Sequence, residues 1–396
     1  MEFNPISDDF FDDPYDTYRW LRDEAPCYHN EQYGFWALSR FDDVVAAHRD
    51  WRTFSSEHGL TLDQLTDPDN HAGGQSIIMM DPPAHDRMRK LVSRAFTPRA
   101  ITRMEPIAHE VINRYLDAVQ GEPEFDAVAD FSAPFPVEII STILGVPEAD
   151  RQQIRHWTDE MLLRRPNDPR PTPEGIAAGL EQIAYFLDLI RDRRAHPGED
   201  MIDQLIEVEV ADDAGEMHRL TDEEIAGFAT LLAGAGSETV TKLVGNAVVL
   251  FHRHPGEWRK VLDDPARIPN AVEEALRYWA PSQYQGRFSV APSEWHGVTL
   301  PANQPVFLVT GAANRDEREY ESPDVFDIDR EIGLTIGLGH GIHSCLGAAL
   351  ARLETRMAIA EWAKRWPRYA VDEEGCRRVN MSNVAGYSNV PVRVAA

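Results

Sequence analysis

Apolar residues recur at three- and four-residue spacing through most of the chain, and that period predicts a mainly helical protein. Helical text covers residues 13–21, 42–48, 101–119, 137–144, 150–163, 174–193 and 201–209, joined by short turns such as Arg194-Ala195-His196-Pro197-Gly198. The longest run opens at Thr221-Asp222-Glu223-Glu224, a capping box with Thr221 as N-cap and Glu224 at the third helical position. It continues to about His252, where His254-Pro255 ends it. About thirty residues at ~1.5 Å each span roughly 45 Å, enough to cross the whole molecule. Helical text resumes at 270–278 and again for about twenty residues after Cys345, where Leu346, Ala349, Leu350, Leu353, Met357 and Ala360 share one side.

Residues 33–38, 286–290, 297–301 and 306–309 read as strands, so a small β-region is expected at about 25–60 and 284–310 beside a helical remainder. Residues 55–76 are polar and glycine-bearing, with Gly73-Gly74, and are expected to form a long surface loop. Residues 383–390 read as a hairpin whose tip reaches a pocket. No linker, repeat or low-complexity tract marks a boundary. The expectation is one mainly α (α+β) domain over 1–396.

With 43% hydrophobic residues, a chain of this length buries a large core. No apolar run is seen to approach the roughly eighteen residues of a membrane span, and Met1-Glu2-Phe3-Asn4-Pro5 lacks the marks of a signal peptide. Cys27, Cys345 and Cys376 are odd in number and far apart, which does not indicate a disulfide framework and fits a reducing compartment. A cytoplasmic protein without a membrane anchor is expected. The net charge of −27 argues against a general nucleic-acid or anionic-membrane binder, which needs positive charge.

Candidate chemistry concentrates at Leu338-Gly339-His340-Gly341-Ile342-His343-Ser344-Cys345-Leu346-Gly347, ahead of the last long helix. A cysteine at a helix N-terminus faces unsatisfied N–H groups and the positive end of the helix dipole, which favour a thiolate as metal ligand or nucleophile. The glycines allow tight turns and close approach to a flat object. A buried structural cysteine is the bland alternative, and the flanking glycines count against it. In the middle of the long helix lies Ala235-Gly236-Ser237-Glu238-Thr239, where glycines weaken the helix and a kink can open. Close helix packing explains the small residues but not the adjacent acid and hydroxyl. His85 and Arg89 lie four apart on one helix face, and Glu274 and Arg277 three apart on another.

The cysteine loop resembles that of the cytochrome P450 family, Phe-Gly-x-Gly-x-His-x-Cys-x-Gly, with Leu338 where the family usually has Phe. Asp81-Pro82-Pro83-x-His85-x-x-x-Arg89, Ala235-Gly236-x-Glu238-Thr239 and Glu274-x-x-Arg277 match further family motifs in family order. The resemblance implies a helix-rich triangular fold enclosing haem b between the long helix and the helix after Cys345. Cys345 is then the axial ligand, with Leu338, Gly339 and Gly347 against the haem. His85, Arg89, Arg287 and His343 bind its propionates. Ala235 and Gly236 form an oxygen groove, in which Thr239 donates a hydrogen bond and Glu238 relays protons. Glu274, Arg277 and a third member, Arg330, hold the cysteine loop.

The implied activity is hydroxylation, or oxidative dealkylation, of a lipophilic small molecule with O2 and two electrons from a ferredoxin served by an NAD(P)H-dependent reductase. Ile77, Ile78, Met79, Ala235, Ala280, Ser282, Tyr284, Ala385, Gly386 and Tyr387 occupy pocket-like positions, without a charged anchor. Arg87, Lys90, Arg94, Arg99, Arg352 and Arg356 are the expected docking patch for an acidic donor. Competing readings are a haem-thiolate peroxygenase or ligand sensor, and a zinc protein built on His340, His343 and Cys345.

Overall fold

The computed structural model describes residues 1–66, 76–211, 215–379 and 381–394. Its axis is the helix Asp222–Arg253, opened by the Thr221–Glu224 capping box and unbroken to its end. Every residue from Val240 to Phe251 is buried, the pattern of a helix packed on all sides rather than of a surface helix. Helices Pro134–Leu144, Arg151–Leu162, Pro173–Ala195, Ile268–Tyr278 and Ala348–Arg365 surround it. The helical assignment runs unbroken through the central glycines. Gly236 admits Ile140, whose Cγ1 lies 3.4 Å from where a Cβ would stand, and Gly245 admits Val128 at 3.0 Å.

The β-region is a five-stranded sheet in the order Cys27–Asn30, Phe35–Leu38, Gln304–Leu308, Gln285–Ser289, Phe54–Ser55. Phe35–Leu38 and Gln304–Leu308 pair in parallel, while Gln285–Ser289 runs antiparallel to the latter with Arg287 opposite Val306. Gly286 is needed there, because a Cβ would come within 2.2 Å of the Leu60 carbonyl oxygen. The C-terminal hairpin pairs Arg377–Arg378 with Tyr387–Asn389, and Val384 bridges to Ser282.

Some elements escaped the sequence pattern. Pro255 stops the long helix but also occupies the first turn of a new one, Pro255–Asp263, a position that suits its missing N–H. Helix Leu62–Thr66 interrupts the expected loop 55–76; the Gly73-Gly74 part of that loop lies outside the described residues. Ala127–Leu144 is long and apolar enough by composition to cross a membrane, contrary to the sequence reading, and 78% of that window is buried inside the protein. Of its two acids, Asp130 and Glu138, Glu138 is buried and pairs with Arg114 and Arg151.

Candidate active site

The cysteine loop runs from Ile336 into helix Ala348–Arg365, whose N-cap is Gly347. Cys345 therefore sits two residues ahead of the cap rather than in the helix. Its N–H donates to Leu338 O at 2.9 Å, closing the loop. Gly339 and Gly341 have φ of +71° and +69°, and at Gly341 a Cβ would lie 2.2 Å from His48 O, so only glycine fits there. Cys345 is accessible, yet desolvation by the protein around it pushes its thiol up. The Gly347 N–H, Arg89 and Arg352 pull the other way but do not outweigh burial. Arg89 also donates from Nη2 to Ser344 O at 2.8 Å, tying the His85 helix to the residue before the cysteine.

Beside this loop lies a buried group of nitrogen bases. The His85 and His343 rings meet edge to face at 4.7 Å. His343 Nε2 pairs with Ser56 Oγ at 3.1 Å, and its imidazole is pushed well below its usual range by burial and by Arg287, His85, Arg89 and His48. Arg287 is 4% exposed and pushed down to about 10 by burial, with Asp81 opposing; its Nη1 donates to Gly286 O at 2.7 Å. His48, which sequence reasoning missed, is buried here and pushed down to about 3 by burial and by Arg287 and His340.

In the centre of the long helix Ala235 is exposed although the helix is a core element. Thr239 Oγ1 donates to Ala235 O at 2.9 Å, so its proton is committed to the helix backbone. Glu238 is buried, and Lys242 Nζ lies 2.5 Å from its Oε1. Glu238 thus has little direct access to bulk solvent. Charged groups that act on it are Lys242 and, on helix Arg151–Leu162, Asp159.

Glu274 and Arg277 form a bidentate pair at 2.7 and 2.8 Å with side chains fully buried, and Arg330 Nε reaches Glu274 at 3.3 Å. Arg277 Nη1 donates to Asn314 O, and Asn314 Oδ1 accepts from Ile336 N at 3.1 Å. Asn314, invisible to motif reading, thereby links this cluster to the start of the cysteine loop.

The cytochrome P450 family profile matches residues 31–264 and 267–365. The Mycobacterium tuberculosis protein carrying the name cytochrome P450 123 is 40% identical over 397 residues, covering 100% of this chain and 98% of that protein. This chain belongs to the cytochrome P450 family. Erythromycin C-12 hydroxylase of Saccharopolyspora erythraea is 38% identical over 378 residues, covering 94% of this chain and 92% of the hydroxylase. The crystal structure of P450BioI in complex with hexadec-9Z-enoic acid ligated acyl carrier protein superimposes with a TM-score of 0.88 at 32% identity, covering 98% of this chain and 99% of that one.

As a cytochrome P450 this protein is a monooxygenase with a haem-thiolate cofactor, using dioxygen and electrons from a redox partner. The residues present fit such a group. His85 Nε2 is a buried polar atom without a hydrogen-bond partner, and the Arg287 guanidinium is buried with no ion-paired carboxylate among the described residues. Two carboxylates of a cofactor are the chemistry this cluster accepts. A zinc centre does not fit the P450 loop. His340 Nε2 accepts from Arg49 at 2.9 Å while His343 pairs with Ser56, and no group of three His, Cys, Asp or Glu side chains among the described residues is placed to hold a metal ion.

The residues expected to line the pocket differ in their surroundings. Tyr284, 2% exposed, lies in the aromatic core of the β-region against Phe10 and Phe307. Tyr387 packs on Trp279 and under the Arg378 guanidinium at 4.2 Å. Gly386 faces the Lys242 stem, and Ala280 and Ala385 are buried. Ile77 is buried, whereas Ile78, Met79 and Ser282 keep partial exposure. The expected docking patch is partly neutralised: Arg87 pairs with Glu224 and Arg352 with Glu273, while Arg94 and Arg99 are exposed.

Proposed function

We propose that this monooxygenase holds haem b with Cys345 as the axial thiolate and hydroxylates, or oxidatively dealkylates, a lipophilic small molecule. The observation that carries the reading is the His85–His343–Arg287 cluster, in which His85 Nδ1 is taken by Asp86 but its buried Nε2 has no partner and Arg287 has no ion-paired carboxylate among the described residues, joined through Arg89 to the Cys345 loop. His85, His343 and Arg287 would hold the propionates, and the N–H groups at Gly347 would temper the sulfur's charge. The bound haem supplies dioxygen activation and insertion of one oxygen atom into a C–H bond.

Thr239 holds a proton at its hydroxyl while that group donates to Ala235 O, and its oxygen stays free to accept a further bond. Rotation about χ1 releases the proton into the groove beside Ala235 and Gly236. Glu238 is the adjacent acid that reloads it, which favours dioxygen chemistry over a peroxygenase or sensor. A lipophilic substrate is supported by the apolar Ile78 and Met79 and by the names of relatives: one hydroxylates erythromycin, and P450BioI was solved with a fatty acyl chain on its carrier. Exposed Arg94 and Arg99, near Lys90, offer an acidic ferredoxin with its NAD(P)H-dependent reductase a cationic edge within a chain of net charge −27. We place the chain in the cytoplasm, as one unit with the β-region fused to the helices.

Thr239→Ala tests the proton role. With a substrate found by its optical shift on binding, affinity should stay within about twofold, while product formed per NAD(P)H consumed falls about tenfold, the scale of losing one proton-transfer group. Unchanged coupling would remove Thr239 from the reaction.

A further inference from the structure

Lys242 belongs to no motif considered so far, and it is an unusual residue for its place. It lies in the fully buried stretch of the long helix, 3% exposed, one turn after Glu238. Glu followed four residues later by Lys is the favourable order for a helical pair. Burial makes the pair strongly interdependent, because neither charge has water to fall back on. Nζ sits 2.5 Å from Glu238 Oε1 without hydrogen-bond alignment, so that oxygen keeps its acceptor capacity. The Lys242 stem is seated by the C-terminal hairpin: a Cβ at Gly386 would come within 2.7 Å of its Cβ, 2.9 Å of Cγ and 3.0 Å of Cδ. Gly386 therefore leaves a slot for the lysine rather than a wall for substrate.

Across from this pair stands Asp159 of helix Arg151–Leu162, with Arg155 Nη1 at 3.5 Å and His156 beside it. Burial and the Glu238 charge push its carboxyl up to about 6, against the pull of Arg155 and Lys242. Two carboxylates thus draw on one buried ammonium, with a partly exposed Arg155 as the second cation.

We propose that Lys242 is a positioning residue for proton delivery: its ammonium, seated in the slot that Gly386 leaves, holds Glu238 as a carboxylate between transfers. The inference rests on Glu238 serving as the groove acid.

Lys242→Met removes the ammonium and keeps an apolar stem of similar length. In haem-loaded ferric protein, the protonated-carboxyl infrared stretch that Glu238→Gln deletes should persist in Lys242→Met to a pH at least about 1 unit higher than in wild type. Lys242→Arg should restore the wild-type titration. Gly386→Ala, which crowds the stem and leaves every charge in place, should shift the titration upward by less. Identical titrations in wild type and Lys242→Met overturn the proposal, as does a shift that survives in Lys242→Met/Glu238→Gln. Oxygen reduction without substrate, driven by a plant-type ferredoxin and its reductase, gives the second readout. The share of NADPH electrons released as peroxide should follow the shifted titration in Lys242→Met. An infrared shift with a wild-type peroxide share overturns the delivery role of Glu238 while leaving Lys242 as its holder.

Discussion

Glu274→Ala should accumulate as haem-free and largely aggregated protein. One carboxylate at this point receives both nitrogens of Arg277, the Asp327 N–H at 3.0 Å and Arg330 Nε. Neither Glu274 nor the Arg277 side chain has access to solvent. Deleting the acid leaves a buried guanidinium without its counter-charge, at a cost of about 3–5 kcal/mol, out of a total stability of roughly 5–15 kcal/mol for an ordinary protein. The remaining bonds from Arg277 to Asn314 O, Pro323 O and Val325 O orient it but do not neutralise it. The damage reaches the Cys345 loop through Asn314 and Ile336, so haem is lost along with stability. Glu274→Gln, which keeps the acceptor oxygen, should lose less. Haem per polypeptide in the soluble fraction measures both, and a normal ratio in Glu274→Ala would reduce the cluster to a local bridge.

Arg287→Met should act in opposite directions on the haem-free and haem-loaded protein. Without a propionate, the guanidinium is a buried charge near the Asp81 carboxylate, which accepts from Ser56 N and makes no ion pair with it among the described residues. Replacing it by an apolar chain of similar girth removes a desolvation cost, so the haem-free protein should melt higher. With the propionate in place, the same low-dielectric surroundings strengthen the charge-assisted bond, and its loss should speed haem transfer to apomyoglobin by about tenfold or more. Melting curves of the two forms decide the matter. Equal losses in both would mean that Arg287 braces the sheet and does not bind the cofactor.

The legibility of the site in the sequence follows from how its parts are built. Gly339, Gly341 and Cys345 are close along the chain, so their spacing is their geometry, and the Glu274–Arg277 pair sits at helical spacing. The capping box at Thr221 located the long helix to within a residue. Interactions that depend on a neighbour far along the chain were hidden. Nothing local to Lys242 says that Gly386 will open a slot for it, or that Asp159 will come over Glu238. His48 and Asn314 read as ordinary surface-capable residues until the sheet and the loop close on them. Side-chain directions around the C-terminal hairpin were hidden as well, because packing sets them. Tyr387 turns toward Trp279 and Arg378, and Tyr284 turns into the aromatic core.

The most direct test of the account is the absorption spectrum of the reduced protein under carbon monoxide, taken for wild type and for Cys345→His. Wild type should give the strongly red-shifted Soret band of a thiolate-ligated haem, and Cys345→His should bind haem but show only the band of a nitrogen-ligated one. A red-shifted band that survives in Cys345→His would contradict the assignment of Cys345 as the axial ligand.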